Sequence, residues 1–397
     1  KVAAKNNIQL LFVGDRGQIP PVGERISPVF SVKENVIRHE LTIVERVATG
    51  NPILELVTQI REKLWAFSNN YYSHISNFKK GKDGGVKSGV WFTNSRLKAI
   101  AQAVRMLKSV KAKADEMYLK VIAFDNKTIV LWNDEIRKGL WGADSTKQIN
   151  VGERFTANRT IMKEKKVILR NAIDYVVESV TSDDTSKYGI KRWKVEVREA
   201  LHPDEKREAQ IKTIYILQGG TNSALTGTYP NKSYGDETAG EKKAAELAQQ
   251  LHRAFISAPP KSAARKAALK EYDGFMHSHM SMRPFGLYHK GKSLYGNKAN
   301  IYYGYAVTAH KAQGGEWTNV IVDDTSFERI NEGNITNYTF AKDPLKDWLW
   351  RKYEQRGRMP REIELHWIEV NKLKYVAHSR AKEALYVHSH YAGHKPE

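Results

Sequence analysis

Cysteine is absent from the 397 residues, which excludes disulfides and thiolate metal sites and fits a reducing, cytoplasmic setting. No run of about 18 apolar residues occurs, so no membrane span is expected. No secretory leader precedes the first apolar run, and the first residue is Lys1 rather than Met. Acidic side chains are the scarce charge. Asp and Glu number 44 against 64 Lys and Arg, a net charge of +20. A surplus of that size, spread along the chain, points to a polyanionic partner such as nucleic acid. Nine Trp and nineteen Tyr offer stacking surfaces for unpaired bases, although most are expected in the core. The length allows two or three domains, and a hydrophobic content of 41% is enough to fold them.

The hydrophobic pattern alternates between strand and helix. IQLLFV (Ile8–Val13) reads as a buried parallel strand ending at Gly14-Asp15. Asn51-Pro52 opens a helix, with Ile53, Leu56, Val57, Ile60 and Leu64 at helical spacing. A basic amphipathic helix is expected from Ser95 to about Leu119, a strand over Lys120–Phe124, and a helix from about Thr128. This alternation argues α/β with a parallel sheet. Near residue 150 the character changes. Short strand candidates at Lys165–Arg170, Tyr175–Val180, Trp193–Val197 and Lys212–Gln218 suggest a small β-rich domain of the kind that closes as a barrel. A polar, Gly-rich stretch follows, then charged helices at Glu241–Ile256 and Lys261–Tyr272, split by Pro259-Pro260. The α/β pattern returns with Tyr302–Thr308, Asn319–Asp323 and Ala384–Ser389.

Two segments look made for phosphate. GLYHKGKS (Gly286–Ser293) has the full Gly-x-x-x-x-Gly-Lys-Ser spacing of a P-loop. Such a loop works only between a strand and a helix, whose N-terminus faces the phosphates. Gly296 and Asn297 break any helix immediately after Ser293, so the context fails. Its best defence pairs it with NVIVDD (Asn319–Asp324) as a magnesium-binding strand end. GDRGQIPPVG (Gly14–Gly23) has the better context, directly after an apolar strand, where α/β proteins bind ligands. Gly14 permits a sharp turn, and Gln18 is an uncharged donor and acceptor suited to a γ-phosphate and an attacking water. Asn133-Asp134-Glu135 also imitates a magnesium box but reads as a helix start, and HSH at 277–279 and 388–390 is too sparse a pattern for a metal.

GDRGQIPPVG is accompanied by YAVTAHKAQGGEW (Tyr305–Trp317) and YVAHSRAKE (Tyr375–Glu383). In this order the three blocks resemble motifs III, V and VI of superfamily-1 helicases of the 5′-to-3′, Dda/RecD-like branch. LTIVERVATGNPI (Leu41–Ile53) resembles motif IV and places Arg46. VIAFDNKTIVLWNDEIR (Val121–Arg137) resembles the segment AFTNxxVxxxN, with Asp125 where the family has Thr. The departures inside the three long blocks are Ile19 for Leu, Trp317 for Phe, and His378-Ser379 in place of a hydrophobic-Thr pair. About residues 180–300 carry no recognisable motif.

The resemblance implies an ATP-dependent helicase or translocase on single-stranded DNA and duplex junctions, using ATP and Mg2+, with a single-strand-binding protein as a further partner. It implies a RecA-like parallel-sheet domain of the P-loop NTPase fold, with an inserted SH3-like β-barrel and helical subdomain. Residues 1–40 would be a remnant of the first RecA-like domain, and 41–150 and 301–397 the two parts of the second. The inserted domain would cover 151–300. Gln18 would sense the γ-phosphate, and Arg46 and Arg380 would stabilise charge on the transferred phosphoryl group. Gly14, Asp15, Gln313, Gly314 and Glu316 would line the nucleotide, while Asn126, Thr308 and His310 would touch the DNA backbone. Trp65, Trp132 and Trp317 are better read as core than as base-stacking residues. The family places its phosphate cradle and magnesium box ahead of the GDxxQ loop, and neither fits into the thirteen residues before Gly14. The chain is therefore expected to be a C-terminal part of such a helicase, inactive as an ATPase by itself. Two other readings are a non-hydrolysing single-strand-binding module or subunit completed by a separate P-loop chain, and a nuclease-helicase relative. The nuclease reading ranks lower, because the sequence has no clustered Asp/Glu/Lys constellation.

Overall fold

A computed structural model describes residues 11–15, 17–19, 28–31, 37, 39, 51–64, 81–83, 86–163, 166–218, 239–280, 282, 288–289, 292–293, 300–330 and 361–390. The strands in chain order are β1 Gly81–Asp83, β2 Val86–Thr93, β3 Leu119–Ala123, β4 Arg154–Ala157, β5 Ile161–Lys163, β6 Lys166–Leu169, β7 Asp174–Asp183, β8 Arg192–Glu199, β9 Lys212–Leu217, β10 Tyr288–His289, β11 Lys292–Ser293, β12 Ile301–Tyr303, β13 Ala306–Thr308, β14 Trp317–Asp323 and β15 Ala381–His388. Two compact units share them. The first holds residues 1–99, 122–124 and 308–397, and the second residues 100–121 and 125–307.

The first unit is α/β. β1 pairs antiparallel with β2, β2 parallel with β15, and β15 parallel with β14, and the order continues to β3. Val320, Ile321, Val322, Leu385 and Val387 are fully buried, as a parallel strand covered on both faces requires. The helix Pro52–Glu62 starts where Asn51 Oδ1 accepts from Ile53 N at 3.0 Å, with Pro52 in its first turn. Ile53, Leu56, Ile60 and Leu64 then form its buried stripe, as their spacing predicts. The helix Arg361–His378 packs on it and is buried on all sides over its last turns. Burial all round forces its polar residues to find partners inside. Asn371 Nδ2 donates to Leu64 O at 3.0 Å, Lys374 Nζ lies 2.9 Å from Asp324 Oδ2, and His378 Nδ1 lies 2.7 Å from Lys374 O.

The second unit carries a five-stranded sheet of order β12-β4-β7-β8-β9, whose pairings are antiparallel, and a β5-β6 hairpin. The helices Ala239–Ser257 and Ala263–Ser278 pack on it through Ala244, Ala245, Ala248, Phe275 and Met276, with Ile190 and Leu217. The expected barrel is not closed among the described residues. The outer edge of β9 is taken by Met280, which accepts from Leu217 N at 2.8 Å and donates to Tyr215 O at 2.9 Å, rather than by β12. Beneath the sheet, Arg137 forms a two-point ion pair with Glu153 at 2.9 and 3.0 Å. Nη1 donates to Ser145 O and Nη2 also to Lys147 O, so neither buried charge is stranded.

Several local expectations change. Leu11, Phe12 and Val13 lie outside any strand and are 90%, 62% and 83% exposed, since no neighbouring strand among the described residues pairs with them. The long helix expected from Ser95 is two helices, Arg96–Leu107 and Val110–Ala114. Ser109 breaks it by capping Ala112 N with its hydroxyl. Tyr302–Thr308 is not one strand. Its halves join different sheets, β12 pairing with β4 while Val121 N donates to Tyr305 O beside β13. Gly304 sits at the switch, where a Cβ would lie 2.9 Å from Thr156 Oγ1 and 3.0 Å from the Phe155 backbone. Asn133-Asp134-Glu135 is helix interior rather than a helix start. The helix Asn126–Trp141 begins at Asp125, whose carboxylate accepts from Thr128 N at 2.8 Å. That role suits an Asp where the family pattern has Thr.

Candidate functional site

The site forms in the first unit, where three segments far apart in sequence meet. The first is the turn after Gly14. Gln18 N donates to Asp15 O at 3.1 Å, and Gly17 N donates to Asp15 Oδ1 at 2.8 Å, an Asx-type closure in which the carboxylate replaces a backbone acceptor. The second is the loop after the short helix Ala309–Ala312. Gly314 there has φ +85°, a left-handed conformation that favours glycine, with open space where a Cβ would stand. Gln313 Nε2 donates to Gln18 Oε1 at 3.4 Å, so the two loops touch through their amides. The third is the end of the helix Arg361–His378 and the start of β15. Tyr375 Oη donates to Asp15 Oδ2 at 2.9 Å. Arg380 O accepts from Trp317 N at 3.0 Å, and Lys382 pairs with Glu316 at 2.8 Å.

Gly14, Asp15, Gln18, Gln313, Gly314, Glu316 and Arg380 are thus drawn together around one region. Arg380 is only 2% exposed. Its guanidinium donates to Val376 O at 2.9 Å, Ser379 Oγ at 2.8 Å and Gly315 O at 3.3 Å, tying the third segment to the second. Thr308 is buried at the end of β13, whereas His310 is exposed. Asn126 is exposed and belongs to the second unit. Arg46 and Trp65 lie outside the described residues. Trp132 and Trp317 are core side chains, 0% and 4% exposed.

The sequence reading passed over three contributors. Arg61, in the last turn of the helix Pro52–Glu62, lies 3.4 Å from Asp15 Oδ1. Burial pushes the Tyr375 phenol up to about 12, with the Asp15 charge adding to it. Burial lowers the ammonium of Lys372, and Asp15 partly opposes this. Tyr375 stood inside a recognised block, but nothing in the sequence joined it to Asp15. Arg61 reads as an ordinary helix-end cation.

The rival phosphate sites take other shapes. Lys292 and Ser293 form β11, paired with β10 through Tyr288↔Ser293 and His289↔Lys292. A strand there cannot present helix-terminal amides to a phosphate. The acidic end of β14 is also engaged. Asp323 Oδ1 accepts from Thr325 Oγ1 at 2.6 Å and meets His388 Nδ1 at 3.1 Å, and Asp324 is fully buried against Lys374. Beside this pair Glu328 accepts from Ser389 Oγ and, at 3.1 Å, from His390 N. Burial and the Asp324 charge push its carboxyl up to about 8. His279 of the first HSH bonds Ser186 Oγ at 2.8 Å in the second unit's core. Among the described residues no group of three or more His, Asp or Glu is arranged to hold a metal ion.

No family model matches the sequence, and no curated protein matches it. Among solved structures, the chain is similar to the Pif1 helicase from Candida albicans, at 12% identity and a TM-score of 0.28. The alignment covers 89% of this chain and 57% of that one, so the chain spans less than two thirds of that protein's length. A likeness this distant carries no argument about the site.

Proposed function

We propose that the chain is part of an ATP-driven helicase or translocase acting on single-stranded DNA, and that its first unit supplies one wall of the nucleotide cleft. The observation that carries this reading is the meeting of residues 14–18, 313–316 and 375–380 through the Gln18–Gln313, Asp15–Tyr375 and Arg380–Gly315 contacts. Parallel pairing of β14 with β15 brings the second and third segments side by side, and the Gln18 and Asp15 contacts add the first. In this reading Gln18 faces the γ-phosphate, and Gly314 leaves its backbone open to the nucleotide. Arg380 and Arg46 supply positive charge as the phosphoryl group moves. Exposed His310, next to Gln313's loop, meets the DNA backbone, so one loop couples the two ligands. Thr308 and Asn126 are secondary DNA contacts, and Mg2+ accompanies ATP.

The phosphate cradle and the magnesium ligands are assigned to neither Gly286–Ser293 nor Asp323-Asp324. The engagement of Lys292 and Ser293 in β11, and of Asp323 and Asp324 in internal pairs, supports a second reading, a single-strand-binding module that does not hydrolyse ATP or a subunit completed by a separate P-loop chain. Steady-state ATP hydrolysis with and without single-stranded DNA tests both. We expect no turnover from the isolated chain, with DNA binding that weakens steeply as salt rises. Failure to bind single strands at low salt would sink both readings.

A further inference from the structure

Asp15 engages more partners than the nucleotide chemistry alone requires. Its Oδ1 accepts from Gly17 N at 2.8 Å and lies 3.4 Å from Arg61 Nη2, and its Oδ2 accepts from Tyr375 Oη at 2.9 Å. Those partners come from its own turn, from the helix Pro52–Glu62 and from the helix Arg361–His378. Lys372, three residues before Tyr375, also feels the Asp15 charge.

The turn lies flat against the long helix. A Cβ on Gly17 would stand 3.3 Å from both Asp15 Oδ1 and Tyr375 Cε1. The next residue is Gln18, whose backbone closes the turn onto Asp15 and whose side chain reaches Gln313 at 3.4 Å. Where Asp15 is held therefore decides where Gln18 sits. Tyr375 is 8% exposed, so its hydroxyl depends on this partner, whereas the Arg61 side chain is half exposed.

We propose that Tyr375 and Arg61 are positioning residues that, through Asp15, hold Gln18 where it meets Gln313. This deepens the nucleotide-cleft reading and rests on it. Tyr375 is the stronger arm, being buried and hydrogen-bonded to a charged group, and Arg61 the weaker, solvent-screened one.

Hydrogen–deuterium exchange on the full chain, with Tyr375→Phe and Arg61→Gln, tests the arrangement. In Tyr375→Phe the amides of Gly17 and Gln18, both bonded to Asp15, should exchange roughly tenfold faster, the loss of one hydrogen bond to a charged group. Arg61→Gln should give a smaller rise, and β14 and the helix Arg361–His378 should keep their protection in both. A second arm measures binding of a fluorescent ATP analogue. Gln18→Ala should weaken it in the wild-type background and lose most of that effect in Tyr375→Phe, although Gln18 and Tyr375 need not touch. Unchanged exchange at Gly17 and Gln18 would overturn the proposal. So would equal loosening of β14 and the long helix, or a Gln18→Ala effect that persists in full. If the wild-type chain binds no analogue, the nucleotide reading falls, and the exchange arm alone decides the role of Tyr375.

Discussion

Replacing Glu328 by Gln should remove the fall in the first unit's stability between pH 6.5 and 8. Glu328 is fully buried, beside Asp324 and the buried Lys374. Lys374 is already paired with Asp324, and desolvation disfavours a second negative charge beside that pair. Burial and Asp324 keep a proton on Glu328, whose carboxyl is held up to about 8 from an ordinary value of 4.5. The other charged or titratable neighbours are His378, against Lys374, His388 with Asp323, and His390, whose 63% exposed side chain places Nδ1 3.1 Å from Glu328 Oε2. The sign follows from linkage. Above pH 4.5 the unfolded chain releases this proton and the folded chain does not, so stability falls as pH rises towards 8. The slope is about 1.4 kcal/mol per pH unit, and the full span is on the order of 3–5 kcal/mol. Gln copies the neutral acid, with one oxygen to accept and one nitrogen to donate, and does not titrate. Urea unfolding at a series of pH values should show the Glu328→Gln chain gaining on the wild type by about 1.4 kcal/mol per unit from pH 5.5 to 8. Parallel curves with a constant offset would refute the reasoning, because Glu328 would then ionise as an ordinary carboxyl.

On the acid side, burial holds His279 in the second unit and His378 in the first near 4, below the ordinary 6.5. Each should cost about 1.4 kcal/mol per unit as pH falls from 6.5 towards 4, and thermal melts of His279→Gln and His378→Gln should each lose one such slope. Gly304→Ala should lower the melting temperature, because its Cβ would press on Thr156 and the Phe155 backbone. The expected cost is about 1–3 kcal/mol, and an unchanged melt would mean that the sheet switch yields easily. Arg137→Ala should cost about 3–5 kcal/mol by stranding buried Glu153, and the double variant Arg137→Met, Glu153→Leu should recover much of it in urea unfolding. Lys292→Ala should leave binding of an ATP analogue unchanged, since Lys292 lies in a hairpin strand, and lost binding would restore the P-loop reading.

Much of the first unit was legible because its signals are local. Asn51-Pro52 and the stripe from Ile53 to Leu64 named a helix start and a buried face, and both are present. The runs at Asn319–Asp323 and Ala384–Ser389 became parallel strands because continuous apolar residues suit a doubly covered sheet. The misses have physical causes. The apolar pattern runs unbroken through Gly304, but packing against Phe155 sends the chain from one sheet to another there. The closed barrel was inferred from strand count, whereas closure depends on edge pairing, and Met280 occupies that edge. Ser109 ended a helix that its flanking periodicity continued, because its hydroxyl competes for the backbone. In the site, the three blocks were legible as strings. The Asp15–Tyr375 bond spans 360 positions and leaves no local pattern.

The most direct test of the central claim is photo-crosslinking of the chain with an azido-ATP analogue, followed by peptide mapping. Label is expected on the segments around Gly14–Gln18 and Gln313–Glu316. Label confined to Gly286–Ser293, or to the second unit, would contradict it.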